Sequence, residues 1–283
     1  MKLTSFTTLQ GSKGYGIYGE DGIVDLTRRL GHRYPDLKAL LAAGALEEAR
    51  AWADAPADFG FDAVHFLPLI EAPGKILCVG MNYAEKRKEF NETNAAPTLF
   101  VRFADSQTGH GCPVQKPAQT NEFDYEGELA VVIGKRGFRI AEDEALAHVA
   151  GYSCYMDGSV RDWQHTWFTA GKNWRATGAF GPCLTTADAI PDPHTLGIRT
   201  YLNGQMVQND HTGNMIHRVP ALIAYISTFT ELAPGDVIIT GSPGGVGKKR
   251  VPPLFMKNGD LVEVEIEGIG RLQNHVVAEE LAA

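Results

Sequence analysis

The segment spanning residues 123–133 constrains this chain most, because it reads as a strand that begins with acidic side chains and ends in an apolar run. Residues two apart on a strand share a face, so Glu126 and Glu128 point the same way. Like charges side by side repel, and a buried carboxylate without a partner is costly. A cation beside this strand would relieve both penalties. Asp157, further along the chain, offers a third carboxylate.

Three carboxylates with no neighbouring His or Cys pair form a set of hard oxygen ligands. Such ligands suit Mg²⁺, Mn²⁺ or Ca²⁺ better than Zn²⁺. The pattern of Glu126, Glu128 and Asp157 therefore suggests a divalent-metal site. The alternative is a solvated strand edge with acidic side chains, which is the commoner origin of a Glu-x-Glu pattern taken alone.

Charge and composition exclude two classes of partner. The net charge of −8 over 283 residues argues against nucleic-acid binding, which needs a basic surface. No apolar run approaches the roughly 18 residues of a membrane span, and the first residues lack the apolar core of a signal peptide. The four cysteines are widely spaced and form no Cys-x-x-Cys motif. We therefore expect a cytoplasmic protein with no nucleic-acid or membrane partner.

The distribution of turn residues predicts two units, a small N-terminal domain over 1–70 and a catalytic domain over 71–283. Asn203-Gly204 predicts a hairpin turn between two strands. Strands outnumber helices in the larger unit, which predicts an α+β, β-dominated roll or barrel with peripheral helices. Predicted helices cover 36–43, 46–53, 141–150 and 221–229, and further strands cover 236–240 and 260–266.

Six segments carry a resemblance to a known family. They are GKILCVGMNY at 74–83, PTLF at 97–100, DYEGELA at 124–130, DGSVRDWQ at 157–164, GKN at 171–173 and TGSPGGVG at 240–247. With these pieces in this order, the chain from 74 to about 270 resembles the fumarylacetoacetate hydrolase family, in its shorter bacterial branch. The resemblance favours the metal-site interpretation of Glu126, Glu128 and Asp157 over the solvated edge.

The resemblance also implies a fold, a cofactor and a class of substrate. It implies a mixed β-roll, a homodimer, and a bound Mg²⁺ or Mn²⁺, with Ca²⁺ as an alternative. It implies small 2-oxo acid or diketo acid substrates. Two oxygens of such a substrate can chelate one cation, which polarises the carbonyl and stabilises the negative charge of an enolate.

The matching segments imply roles for several further residues. Lys172 matches the family's active-site lysine, and Gln164 matches a substrate-contacting glutamine. Thr240 ends an apolar strand before a glycine-rich turn, where its hydroxyl or the next amides could hold a substrate carboxylate; a plain turn is the alternative. Arg102, where relatives often have Lys, either binds a carboxylate or lies on the surface. Asn82 is the remaining predicted substrate-binding residue.

The chain departs from its hydrolytic relatives at residue 86. Many of them carry Asn-Tyr-x-x-His-x-x-Glu, whose His–Glu pair activates water; here the positions hold Lys86 and Glu89. If this segment is helical, Lys86 and Glu89 can meet, since residues three apart face together. A lysine is a poor base at pH 7 unless burial lowers its pKa. A surface ion pair is the alternative interpretation.

These residues predict an enzyme, with Lys172, Glu89 and Lys86 as catalytic groups. The favoured activity is metal-dependent hydrolysis of a C–C bond in an acylpyruvate or related 2,4-dioxo acid. A decarboxylase, or an isomerase or hydratase, on the same metal site is the main alternative, because those reactions need no activated water. A non-catalytic metal-binding relative is the third.

Overall fold

The computed structural model describes residues 1–165 and 167–280. Eighteen strands lie in this part of the chain: β1 (Lys2–Thr8), β2 (Lys13–Tyr18), β3 (Ile23–Asp25), β4 (Val64–Phe66), β5 (Ile76–Gly80), β6 (Thr98–Val101), β7 (Gln107–Thr108), β8 (Val114–Lys116), β9 (Phe123–Asp124), β10 (Gly127–Ile133), β11 (Val149–Asp157), β12 (Ser159–Val160), β13 (Gly178–Thr186), β14 (Gly197–Leu202), β15 (Gln205–His211), β16 (Val237–Ile239), β17 (Leu261–Ile266) and β18 (Gly270–Ala278). The α-helices are α1 (Leu26–Leu30), α2 (Leu37–Ala42), α3 (Leu46–Arg50), α4 (Ala84–Phe90), α5 (Thr169–Lys172) and α6 (Val219–Ser227).

The strands form one large sheet and two smaller ones. The 11-stranded sheet runs β3-β2-β1-β13-β11-β10-β16-β5-β6, with β4 beside β1 and β7 beside β13. A five-stranded sheet runs β15-β14-β17-β18-β8, and β9 pairs with β12. This confirms the β-dominated α+β class, and within the described residues the sheets stay open rather than closing into a barrel.

Strand β10 lies inside the large sheet and is buried on both faces. Leu129 and Val131 belong to the apolar cluster that includes residues of the five-stranded sheet. Ala130 and Val132 face the other way, into the cluster that contains the N-terminal helices. A strand covered on both sides needs apolar residues at every position, which explains the continuous run. Its position fixes where the preceding glutamates lie.

Strands from both sides of residue 70 share the large sheet. Strand β1 pairs with β13 through Lys2↔Thr185 and Leu3↔Leu184, and with β2 from Leu3↔Ile17 to Thr7↔Lys13. The division into a domain at 1–70 and a domain at 71–283 stays a prediction. No helix of the described residues is long and apolar enough to cross a membrane.

The structure tests two local predictions, a hairpin turn and a helix. The Asn203-Gly204 hairpin is confirmed, and both residues adopt the positive φ that the turn needs, 52° and 77°. The helix predicted over 141–150 is confirmed in part: residues Glu142–His148 are helical, as a 3₁₀-helix, but β11 already begins at Val149. Val149 pairs with Ile133 of β10, so the end of the segment forms a strand rather than a helix.

Candidate metal centre and active site

Three buried carboxylates converge where β10 begins and β11 ends. Glu126 precedes β10, Glu128 is its second residue, and Asp157 is the last residue of β11. The two strands pair antiparallel, which brings the start of one beside the end of the other. One oxygen from each of the three carboxylates lies within 4.8 Å of the others. The structure thus brings together the three residues that the sequence suggested as metal ligands.

Glu126 is the carboxylate most heavily surrounded by cations. Lys86, Lys172 and Arg161 all donate to it, the last at 2.8 Å, and Ser159 Oγ donates at 3.0 Å. Burial acts to raise the pKa of Glu126, but the three cations outweigh that effect and hold its pKa well below the usual range. Glu126 is therefore ionised at neutral pH.

Asp157 is held by two cations. Arg102 Nη1 and Lys172 Nζ each donate to a different oxygen of the carboxylate. Arg102 also donates to Thr177 Oγ1 at 2.8 Å and to Ser106 Oγ at 3.2 Å. Its side chain is fully buried, so the surface alternative for Arg102 is wrong, and its carboxylate partner belongs to the protein.

Glu128 differs from the other two carboxylates. Glu128 Oε2 accepts a hydrogen bond from the backbone amide of Gly241 at 2.6 Å. The surrounding cations bond to Glu126 and Asp157 instead. Burial raises the pKa of Glu128 well above its usual range, and the nearby charges of Asp157 and Glu126 raise it further. A divalent cation among these oxygens would remove that penalty. The donor set, three carboxylates without nitrogen or sulfur, fits Mg²⁺ or Mn²⁺.

Lys86 reaches the same site from helix α4. The helix spans Ala84–Phe90, and the Lys86 side chain is only 4% exposed. Its ammonium donates to Glu126 and to Ser242 Oγ. The surface ion pair with Glu89 is therefore wrong. Glu89 Oε1 instead accepts from the Gly245 amide at 2.7 Å, and its Oε2 is buried with no hydrogen-bond partner in the described part of the chain.

The remaining predicted residues border the site in different ways. Gln164 Oε1 accepts from Arg161 at 3.2 Å, and its buried Nε2 has no partner among the described residues. The Thr240 hydroxyl donates to the Leu129 carbonyl at 2.9 Å. Asn82 donates to the Thr240 carbonyl at 2.8 Å. These bonds commit Thr240 and Asn82 to the backbone, while Gln164 keeps a free donor. Their substrate-binding roles stay predictions.

Sequence reasoning missed three side chains that complete the site. Arg161 joins Glu126 to Asp124, whose oxygen lies 2.9 Å from Arg161 Nε. Ser159 and Ser242 contact Glu126 and Lys86 respectively. All three stand inside segments that carry the family resemblance, at 157–164 and 240–247, so position within the motif was the available signal.

A small cavity of about 20 Å³ opens onto this site, which is room for one water-sized group. Its walls combine charged and apolar side chains. They are Lys86, Glu126, Glu128, Arg161, Lys172, Val79, Gly80, Met81, Phe100 and Phe168. The apolar side limits the access of water to the charged side, which strengthens electrostatic interactions inside.

Comparisons with known proteins agree with this geometry. The family model described as fumarylacetoacetate (FAA) hydrolase C-terminal matches residues 75–277. Oxaloacetate tautomerase fahd2, a mitochondrial protein of Xenopus laevis, is 45% identical over 221 residues, or 76% of this chain and 69% of that protein. The solved fumarylacetoacetate hydrolase of Exiguobacterium antarcticum is 34% identical with a TM-score of 0.84, covering 99% of this chain and 100% of that chain. A maleylpyruvate hydrolase from Sphingobium sp. SYK-6, solved with manganese(II) and pyruvate, is 28% identical with a TM-score of 0.83, again covering 99% and 100%.

Proposed function

Since the chain belongs to the fumarylacetoacetate hydrolase family, we propose that it is a divalent-metal-dependent enzyme that interconverts the enol and keto forms of a 2-oxo acid. One observation carries the choice of reaction. Lys86, which stands where hydrolytic relatives carry a histidine, is buried and lines the same cavity as Glu126 and Glu128. The resemblance to proteins named oxaloacetate tautomerase supports the same reaction.

The carboxylates of Glu126, Glu128 and Asp157 would hold the cation, which we take to be Mg²⁺ or Mn²⁺. A bound divalent cation would hold the 2-oxo acid and stabilise the negative charge that develops on its oxygen as a proton leaves carbon. A solved relative contains manganese(II) and pyruvate, which supports both the ion and the kind of ligand.

Proton transfer is the main step that the protein has to catalyse in this reaction. Conversion of an enol into its keto form moves one proton from oxygen to carbon, consumes no water and breaks no carbon–carbon bond. The Lys86 ammonium is positioned to deliver that proton and to take one back in the reverse direction, since it lines the cavity beside Glu126. Lys172 supplies a second ammonium for the substrate oxygens, and Phe100 and Phe168 restrict water.

Hydrolysis of a C–C bond in an acylpyruvate is the second candidate, and Glu89 favours it. The Oε2 atom of Glu89 is buried without a hydrogen-bond partner in the described residues, so it is free to accept a proton from water. A relative named maleylpyruvate hydrolase supports this reaction class. Loss of cleavage in Glu89→Gln would assign Glu89 as the base, whereas undiminished cleavage would remove it from that role.

One experiment separates the two reactions. Oxaloacetate and an acylpyruvate are incubated with the enzyme and Mg²⁺ or Mn²⁺ in D₂O, and products are followed by NMR. Tautomerisation predicts accelerated exchange of the protons at the carbon next to the carbonyl, with the carbon skeleton intact. Hydrolysis predicts two acids from the acylpyruvate. No acceleration of exchange over a Glu126→Gln variant or a chelator-treated sample would reject the tautomerase proposal.

The remaining expectations belong to the same proposal. We take the enzyme to be a homodimer in the cytoplasm, although the curated relative named above is mitochondrial. Gln164, through its free Nε2, is the best of the predicted substrate contacts. Size-exclusion chromatography with light scattering tests the dimer, and fractionation of the native cells tests the location.

A further inference from the structure

The buried charged groups of the site balance one another when all of them are ionised. The buried charge cluster consists of eight side chains, each at most 6% exposed: Asp124, Glu126, Glu128, Asp157, Lys86, Arg102, Arg161 and Lys172. With every group ionised, as a metal site requires of its carboxylates, four negative charges meet four positive ones. The protein part of the cluster is therefore neutral.

Two pairs of charges just outside the cluster are of opposite sign. Glu89 Oε1 accepts from the Gly245 amide at 2.7 Å, and Arg250 Nε donates to the Gly245 carbonyl at 3.2 Å. The Glu89 carboxylate and the Arg250 guanidinium, which carry opposite charges, therefore both bond to the backbone of Gly245. Further out, Lys248 pairs with Glu122 at 3.0 Å on the surface.

A divalent cation brings the cluster to a charge of +2. A buried excess of this size is costly unless the ligand compensates it. We infer that the metal-loaded site selects a dianionic chelator over a monoanion of the same shape, and that Lys86 is the residue that sets this preference. The inference deepens the proposed function and rests on its metal site.

Lys86 is the cavity-lining cation with the fewest bonds to the cluster's carboxylates. Its ammonium bonds one carboxylate, Glu126, and one neutral hydroxyl, that of Ser242. Glu126 keeps Arg161 and Lys172 without it.

The other three cations are each tied to the protein's own carboxylates. Arg161 bonds both Asp124 and Glu126, and Lys172 bonds both Glu126 and Asp157. Arg102 bonds Asp157 but is not among the residues that line the cavity. Lys86 is therefore the cavity-lining cation most available to a ligand.

Oxalate and oxamate test this inference, because the two chelators have nearly the same shape and differ by one negative charge. Their dissociation constants for the Mn²⁺-loaded protein are measured by calorimetry, and the ratio of oxamate Kd to oxalate Kd is compared between variants. Lys86→Met should lower that ratio by about tenfold or more, since a unit charge within several ångströms acts through an effective dielectric constant of about 20. Lys86→Arg keeps the charge and should keep the ratio within about threefold.

Lys88→Met is the matched control. Lys88 lies on the same helix but is 72% exposed and pairs with Glu85 on the surface, so the ratio should not change. An unchanged ratio in a Lys86→Met protein that still binds Mn²⁺ would overturn the inference. If that variant does not fold or bind Mn²⁺, the wild type decides: it must prefer oxalate over oxamate more strongly than aqueous Mn²⁺ does, and an equal or weaker preference overturns the inference.

These outcomes are independent of turnover. A protein with the expected ligand selectivity that accelerates no reaction of any 2-oxo acid would refute the proposed function and support this inference. A protein that turns over 2-oxo acids while Lys86→Met leaves the ratio unchanged would do the reverse.

Discussion

Two networks of oppositely charged side chains lie in opposite environments of the molecule. The buried charge cluster joins β10, β11 and α4, and its members are at most 6% exposed. A surface ladder crosses β14, β17 and β18: Arg199 lies 3.3 Å from Glu265, and Arg271 lies 2.9 Å from the same carboxylate. In the ladder, the side chains of Arg199, Glu265 and Arg271 are 28–43% exposed.

The difference shows that environment, rather than residue type, decides what an ion pair does. In the ladder, hydrogen bonding from Arg271 lowers the pKa of Glu265, and water can replace either partner when the pair breaks. In the buried cluster the side chains are shielded from bulk water, so each charge depends on its neighbours. The ladder therefore contributes modestly to stability, while the cluster can hold a cation and a charged ligand.

The largest expected effect comes from breaking a buried pair. Arg102→Met should lower the free energy of unfolding by about 3–5 kcal/mol, because it leaves Asp157 with Lys172 as its one remaining cation. Arg271→Met, its counterpart on the ladder, should cost less than about 1 kcal/mol. Urea denaturation of the two variants measures both. Equal costs would contradict the comparison.

Removal of a buried lysine should mainly affect catalysis. Lys172→Met should lower kcat by about 100-fold, or about 2.7 kcal/mol of transition-state stabilisation, because an ammonium that lines the cavity is lost. Stability should suffer less, since Glu126 keeps Lys86 and Arg161, and Asp157 keeps Arg102. Lys248→Met, at an exposed lysine, is the control and should retain wild-type kcat.

The partly buried His110 and the exposed His275 extend the comparison to the pH dependence of stability. Burial lowers the pKa of His110 to about 4. A lowered histidine pKa means that the unfolded chain takes up the proton first, so His110 contributes stability above about pH 6.5 that is lost as pH falls towards 4. We expect a loss of up to about 2 kcal/mol over this range, allowing for partial exposure.

His110→Asn should reduce that loss, because asparagine keeps an acceptor for the Gln273 amide but has no titratable proton. His275 is exposed, so His275→Asn should leave the pH profile as in the wild type. Denaturation midpoints between pH 4 and 7 provide the measurement. A His110→Asn profile that follows the wild type would argue against His110 as the group responsible.

The smallest expected effect is the salt dependence of the stability lost when a surface carboxylate is removed. Glu265→Gln should cost less than about 1 kcal/mol at low ionic strength, and that cost should shrink in 1 M NaCl, where the screening length is about 3 Å. The cost of Arg102→Met should persist in the same salt, because its ion pair with Asp157 is shielded from solvent. Parallel salt dependence of the two variants would remove the distinction between the networks.

Much of the fold and of the metal centre follows from local sequence. The apolar run predicted a strand, and the structure explains why the run is continuous, since alternate residues of β10 enter different apolar clusters. The Asn203-Gly204 turn fixed the register of β14 and β15 through its own backbone preference. The Glu-x-Glu spacing and the motif around Asp157 gave the predicted ligand set. The continuous strand predicted over 123–133 is wrong in one detail, because β9 ends at Asp124 and β10 begins at Gly127, so Glu126 precedes the strand that holds Glu128.

Tertiary packing decided what the sequence left open, and helix α4 is the clearest case. Lys86 and Lys88 stand two residues apart in one charged segment, and apart from the family motif, which marks residue 86, nothing local distinguishes them. Lys88 is solvated and pairs with Glu85, whereas Lys86 turns inward to Glu126 and Ser242, which lie 40 and 156 residues away in sequence. The desolvation of a lysine depends on which distant groups surround it, so only the folded arrangement decided between a buried Lys86 beside Glu126 and a surface ion pair.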